Sequence, residues 1–207
     1  MRAQLQRTSL SLVAGLTLTA SWLVGGPASA EATFASLTDE DQARIEKGEI
    51  VVRVERTNTP LKSFMCVGQV EAPASKVFKA YTDFEHYPEI FNLRDAKVTR
   101  KDEATYHVRA TLIVPWPIGE RWVTNETRLL PDAYSFVYRR AEGSIVEYTG
   151  SLKVVPKGPN LSQVYYVAKV DPGIPFMPTW LLNRFQESML PNSIQNVRDY
   201  LKRHQEY

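Results

Sequence analysis

Five charged residues, Arg109, Arg121, Glu126, Arg139 and Glu147, stand in stretches where polar and apolar side chains alternate. Alternation with period two marks a strand with one face buried, and a charge on the buried face needs a partner or a hydrogen bond. Most such charges belong on the wet face. One facing inward would anchor the polar end of a ligand. Tyr106, Phe136, Tyr138, Tyr148, Tyr165 and Tyr166 occupy the same stretches. Tyrosine gives a ring to pack and a hydroxyl to bond, and Tyr138, Tyr148 and Tyr166 are expected to reach an interior cavity. Proton-transfer chemistry would need an acid or base facing inward, for which Glu126, Glu147 and His107 are the candidates.

Other chemistry lacks its residues. His86, His107 and His204 are scattered, and Cys66 is the only cysteine, so no zinc-ligand spacing exists. Gly-x-Ser-x-Gly, P-loop and Gly-x-Gly-x-x-Gly patterns do not occur. No metal and no cofactor is expected, and the chain reads as non-enzymatic. Cys66 sits in Phe64-Met65-Cys66-Val67, the setting of a buried small hydrophobe.

Residues 1–30 read as a cleavable signal peptide. Arg2 and Arg7 precede an apolar stretch from Leu10 to Val24, and Ala28-Ser29-Ala30 supplies small residues at the cleavage point. Those two arginines account for the net charge of +2: without them 23 basic residues face 23 acidic ones. A balanced surface gives no footprint for nucleic acid. The expected location is across the inner membrane, in the periplasm.

Residues 31–49 form a helical lead-in, with Thr38 as N-cap and Gly48 as stop. Strands follow at Ile50–Val54 and Lys62–Val70. A helical stretch opens at Ala72-Pro73-Ala74-Ser75, puts Val77, Phe78, Tyr81 and Phe84 on one face, and ends or kinks at Tyr87-Pro88. Six strands follow: Ala96–Arg100, Thr105–Val114, Arg121–Leu129, Ser135–Arg140, Ile145–Val155 and Gln163–Val170. From Pro178 to His204 apolar residues recur at helical spacing, with Pro191 kinking or dividing the helix. The fold class is therefore α+β: a curved antiparallel sheet wrapped around a long C-terminal helix, with an internal cavity between them.

Four segments carry a family likeness. Trp116-Pro117-Ile118-Gly119-Glu120-Arg121 resembles the Trp-Pro-x-x-x-Arg signature of START domains. Asp171-Pro172-Gly173-Ile174-Pro175 with Trp180-Leu181-x-Asn183 resembles their entry into the last helix, although Ile174 stands where the family often has a second glycine. Pro191 with Ile194-Gln195-Asn196-Val197-Arg198 resembles the second half of that helix. Ala72 to Phe78, followed by Asp83 and Tyr87-Pro88, resembles the first helices of the wider START/Bet v 1-like (SRPBCC, polyketide cyclase/lipid transport) superfamily.

The resemblance implies a helix-grip domain over residues 50–207 that binds, and transfers, a lipid or other hydrophobic ligand. The ligand-binding candidates are Trp116, Arg121, Tyr138, Tyr148, Tyr166, Phe176, Trp180, Phe185 and Met189, with Arg121 as the polar anchor that the START motif implies. Loops 115–119 and 173–180 are apolar yet rich in turn formers, which fits transient contact with a membrane. A polyketide cyclase/aromatase-like enzyme using the same cavity is the alternative.

Overall fold

The computed structural model describes residues 37–55, 61–113 and 120–207. Its first element, α1 (Asp39–Glu46), begins at a capping box. Thr38 Oγ1 accepts the Asp41 N–H at 3.2 Å, and the Asp41 carboxylate accepts the Thr38 N–H at 3.0 Å. Gly48, at φ 87°, takes the left-handed turn that ends the helix.

The strands are β1 (Val51–Glu55), β2 (Ser63–Val70), β3 (Asp95–Arg100), β4 (Thr105–Leu112), β5 (Arg121–Leu130), β6 (Ser135–Gly143), β7 (Glu147–Gly158) and β8 (Leu161–Asp171). They form one antiparallel sheet in the order β1-β2-β8-β7-β6-β5-β4-β3. After β2 the chain crosses to the far edge and then meanders back until β8 lies beside β2. That crossover carries α2 (Ala74–Thr82), a 3-10 turn at Phe84–His86 and α3 (Tyr87–Phe91).

One expectation changes here. Tyr87-Pro88 opens a helix rather than closing one, and the break falls at Asp83. Proline suits the first turn because its missing N–H would have no intrahelical acceptor there. At the other end the division at Pro191 holds: α4 (Thr179–Met189) and α5 (Asn192–Arg203) are separate helices.

Successive side chains on a strand point to opposite faces, so the register assigns each residue a side. The concave face carries Phe64 and Cys66 of β2, Phe136 and Tyr138 of β6, Leu152 and Val154 of β7, and Val164, Tyr166 and Ala168 of β8. Val77 and Tyr81 of α2 and Ile194, Val197 and Leu201 of α5 pack on them. Each fully buried aliphatic side chain of this kind contributes about 1.5–3 kcal/mol. The convex face near β1 is covered by α1, where Ile45 meets Val51, Met65, Val67 and Val167.

Candidate functional site

The two C-terminal helices cover the concave face differently. Beneath α5 the space is filled with fully buried aliphatic and aromatic groups. Farther along the concave face, Leu112, Arg121, Asn125, Arg140, Tyr148 and Val170 are only part-buried. The register puts these residues toward one end of the sheet: Arg121 opposite Leu112, Asn125 opposite Arg140, and Tyr148 opposite Val170.

Two side-chain amides one helical turn apart fix α4 to that end. Asn183 Oδ1 accepts the Lys62 N–H at 3.0 Å and Gln186 Oε1 accepts the Val170 N–H at 2.7 Å. Gln186 is 2% exposed, yet its Nε2 has no hydrogen-bond partner. Backbone N–H groups at strand ends need acceptors, which gives the Asn183 of the START-like motif a physical task.

Three phenols form a chain across the concave face. Tyr138 Oη lies 2.9 Å from Tyr166 Oη, and Tyr148 Oη lies 3.3 Å from the same atom. Tyr138 also reaches the Val167 carbonyl at 3.5 Å. Glycine makes this arrangement possible, because Tyr138 lies across Gly150, its cross-strand partner. A β-carbon at Gly150 would stand 2.5 Å from Tyr138 Oη and would also collide with the Val167 carbonyl oxygen. A fourth phenol, Tyr87, donates to the Tyr81 carbonyl at 2.7 Å. Burial pushes the Tyr87, Tyr138 and Tyr166 hydroxyls well above the ordinary phenol range, and the nearness of one phenol to the next adds to it. Burial likewise raises Tyr148 and pushes the Cys66 thiol up to about 12. All these groups keep their protons at neutral pH.

The charged residues divide between the faces. Glu126 and His107 lie on the convex side with Arg139, which donates to Glu126 at 2.6 Å. Glu147 lies there too, 2.9 Å from Lys169 Nζ. All three candidate acids and bases therefore face away from the interior. Arg109 is also convex, stacked 4.0 Å from the Trp122 ring centroid. Arg121 is concave. Its Nη1 donates to the Glu120 carbonyl at 3.2 Å and its buried Nε has no partner.

Of the residues singled out by sequence, Tyr138, Tyr148 and Tyr166 come together and Arg121 shares their face. Phe176 is fully exposed, Trp180 is 67% exposed and Met189 is exposed. They stand around α4 and the loop before it, not among the buried groups. Phe185 belongs to α4. Trp116 and loop 115–119 lie outside the described residues. Sequence reasoning missed Gln186, Tyr87, Asn125 and Gly150. An isolated glycine in a strand pattern signals a close approach, so Gly150 was there to be found.

A separate groove of about 580 Å³ opens between the end of α1, the β2–α2 turn and α5. Lys47, Glu71, Lys76, Arg198 and Lys202 line it, and none of the candidate ligand-binding residues does. Among the described residues no His, Cys, Asp and Glu group could hold a metal ion, and no helix is long and apolar enough to cross a membrane.

Known proteins share this architecture. Human STARD10 superposes with a TM-score of 0.64 at 15% identity, over 83% of this chain and 84% of its own. A STAR-related lipid transfer protein from Xanthomonas axonopodis gives 0.61 at 18% identity, over 74% and 93%. The Zhui aromatase/cyclase of a Streptomyces species gives 0.58 at 16% identity, over 74% and 96%. No curated protein sequence matches the chain. The family model described as polyketide cyclase/dehydrase and lipid transport matches residues 70–198. That span runs from the end of β2 through most of α5 and holds the phenol chain, Arg121 and both amides of α4, so the chain belongs to the polyketide cyclase/dehydrase and lipid transport family.

Proposed function

We propose that the protein is exported through residues 1–30 and binds a lipid or other hydrophobic ligand between the concave face and α4, taking it up and releasing it at a membrane surface. The observation that carries this reading is a group of exposed large apolar side chains on α4 and the loop before it, in a domain whose concave face is part-buried at one end. Phe176 in the loop before α4 and Trp180, Leu181 and Met189 of α4 are exposed. Phe176 also sits at φ 63°, a backbone region that non-glycine residues adopt at a cost. A strained, solvent-exposed phenylalanine next to an exposed tryptophan fits a surface that meets an apolar phase. STARD10 and the Xanthomonas protein, the latter described as a lipid transfer protein, share the fold.

Binding is favoured over cyclase chemistry because a cyclase needs a proton acceptor inside. The titratable groups described on the concave face are phenols, a thiol and guanidiniums, and the phenols and thiol at the site are held protonated. The test is transfer of a fluorescent phospholipid from donor to acceptor vesicles, together with mass spectrometry of lipid co-purified from the periplasm. Transfer that slows when Phe176 and Trp180 are replaced by serine supports the reading. Absence of both transfer and bound lipid overturns it. The mass of the mature chain in the periplasmic fraction, beginning at Glu31, checks export.

A further inference from the structure

We propose that residues 204–207 form a proton-sensitive strap, which ties the crossover between β2 and β3 to α5 while two histidines are charged and slackens when they lose their protons. The inference goes beyond the binding reading and does not rest on it. The place of the crossover gives the strap its importance. α2 packs on α5 and β7, the 3-10 turn packs on β3, and α3 packs on both α5 and β3. β3 is the last strand in the sheet order, so this segment joins the far edge of the sheet to the helix that fills its hollow. It also carries Tyr87, the phenol that borders Tyr148.

The hold of α5 on the sheet is apolar, through Ile194, Val197 and Leu201. The hold of the tail on the crossover is made of polar and charged groups. Tyr207 Oη donates to Asp83 Oδ2 at 2.5 Å, and the Lys79 ammonium stands 4.3 Å from the Tyr207 ring centroid. His204 Nε2 lies 2.7 Å from Glu89 Oε1, and Lys76 Nζ donates to the Gln205 carbonyl at 2.7 Å. Tyr200 meets two rings of the strap, His204 at 4.4 Å and Tyr207 at 5.1 Å between centroids. Four residues thus reach α2, the break at Asp83 and α3 together.

Two carboxylates receive the strap, and each faces a histidine. Glu89 takes His204 directly. Asp83 takes Tyr207 on one oxygen and His86 Nδ1, at 2.7 Å, on the other, so His86 steadies the carboxylate that Tyr207 needs. A charged histidine makes a bond to carboxylate about twice as strong as a neutral one, and histidine is the side chain that changes charge near neutral pH. The charged groups around these pairs are Glu85 beside His86, Lys76 and Lys79 of α2, Arg203 beside Tyr200, and Arg100 of β3, whose guanidinium lies 6.0 Å from the Tyr106 ring that meets Phe84. The Asp83 hydrogen bond and charge raise the His86 pKa above its ordinary 6.5. A raised histidine contributes below that ordinary value, and its contribution is lost as pH rises through the folded value. Burial pushes the Asp83 carboxyl up, but bonds from Tyr207 and His86 outweigh it and hold the group below its ordinary 3.8. The carboxylate end therefore stays charged through the whole histidine range, and the histidines set the response.

Hydrogen exchange read by mass spectrometry tests the strap on the purified protein at about pH 5.5 and about pH 8, on either side of the histidine range. Protection is taken relative to unstructured-chain rates at the same pH, which removes the pH dependence of exchange itself. Peptides covering α3 and residues 200–207 should be about 2- to 5-fold better protected at the lower pH, the range of half-exposed ion pairs, while β8 should not change. The double variant His86→Gln with His204→Gln should show equal protection of α3 at both values. Tyr207→Phe keeps the ring contacts and loses the bond to Asp83, so it should lower protection of α3 at both pH values and leave the ratio in place. Thermal melts confirm that the variants fold, and the wild-type comparison needs no variant. Equal protection at the two pH values in the wild type overturns the proposal. A ratio that survives in the double variant, or α3 protection unchanged in Tyr207→Phe, overturns it as well.

Discussion

The phenol chain depends on a residue with no side chain, and Gly150→Ala is the perturbation that exposes this dependence. The added methyl would lie 2.5 Å from Tyr138 Oη and 2.8 Å from Tyr138 Cζ, and would also strike the Val167 carbonyl oxygen. Relief requires β7 and β8 to separate locally and the Tyr138 ring to move, which takes its hydroxyl away from Tyr166 Oη at 2.9 Å. Overpacking of this kind costs about 1–3 kcal/mol, and the lost hydrogen bond about 1 kcal/mol more. Replacing glycine restricts the unfolded chain and returns about 0.4–1 kcal/mol. The net is a loss of about 1–3.5 kcal/mol, which lowers Tm by about 2–14 °C in a chain of this size. Scanning calorimetry measures the loss, and near-ultraviolet circular dichroism reports the tyrosine environment. Adding Tyr138→Phe to Gly150→Ala removes the nearer clash but not the one with the backbone. The double variant should therefore be less destabilised than the sum of the singles by about 1 kcal/mol, yet remain below wild type. A Gly150→Ala protein melting within 2 °C of wild type (roughly 1 kcal/mol or less), or strict additivity in the cycle, would refute the packing argument.

Other expectations follow from the same contacts. Tyr166→Phe removes the central hydroxyl of the chain and should cost about 1–2 kcal/mol in thermal or denaturant unfolding, more than Tyr148→Phe at its end, and the reverse order counts against the chain. Gln186→Leu leaves the Val170 N–H without its acceptor, so hydrogen exchange at Val170 should quicken while exchange at Val197 of α5 stays as in wild type. Cys66, buried and with its thiol pushed up to about 12, should resist iodoacetamide in the folded protein and react on unfolding; rapid native labelling would show the strand is not packed as described. The Asp83 carboxylate, 2.7 Å from His86 Nδ1, raises the His86 pKa through a hydrogen bond and its charge. A raised folded pKa stabilises below the unfolded value near 6.5 and is lost as pH rises through the folded value. His86→Gln should therefore flatten a slight fall of Tm on the alkaline side of that value, and an unchanged profile would remove the pair from the pH response.

The sequence made the elements legible where a residue has one physical consequence. Thr38 with Asp41 caps α1, and Pro191 divides the last helix because a proline cannot continue it. The same logic misled at Tyr87-Pro88, since proline closes one helix and opens another equally well. Alternation located Tyr138, Tyr148 and Tyr166, like Glu126, Glu147 and His107, in strands, but period two defines two faces without saying which is wet. Only the register settles that: Glu126 opposite Arg139 and Tyr138 opposite Gly150 put the carboxylate outside and the phenol inside. Gln186 was illegible for another reason. Its role is to accept a bond from Val170, which lies 16 positions earlier and joins it only through the fold.

The division of the interior also explains how the grip tolerates unsatisfied groups. Each buried donor or acceptor left unpaired costs about 1–3 kcal/mol, and Arg121 Nε, Asn125 Oδ1 and Gln186 Nε2 are three such atoms. A domain whose net stability is about 5–15 kcal/mol can carry such a group only if the burden is met elsewhere. Here that place is beneath α5, where Leu152, Val164, Ile194 and Val197 have no exposed surface. On the binding reading proposed above, an occupant that pairs with those atoms would add stability as RT ln(1 + [L]/Kd). The dense core beneath α5 thus offsets the cost of the polar atoms left unpaired on β5 and α4.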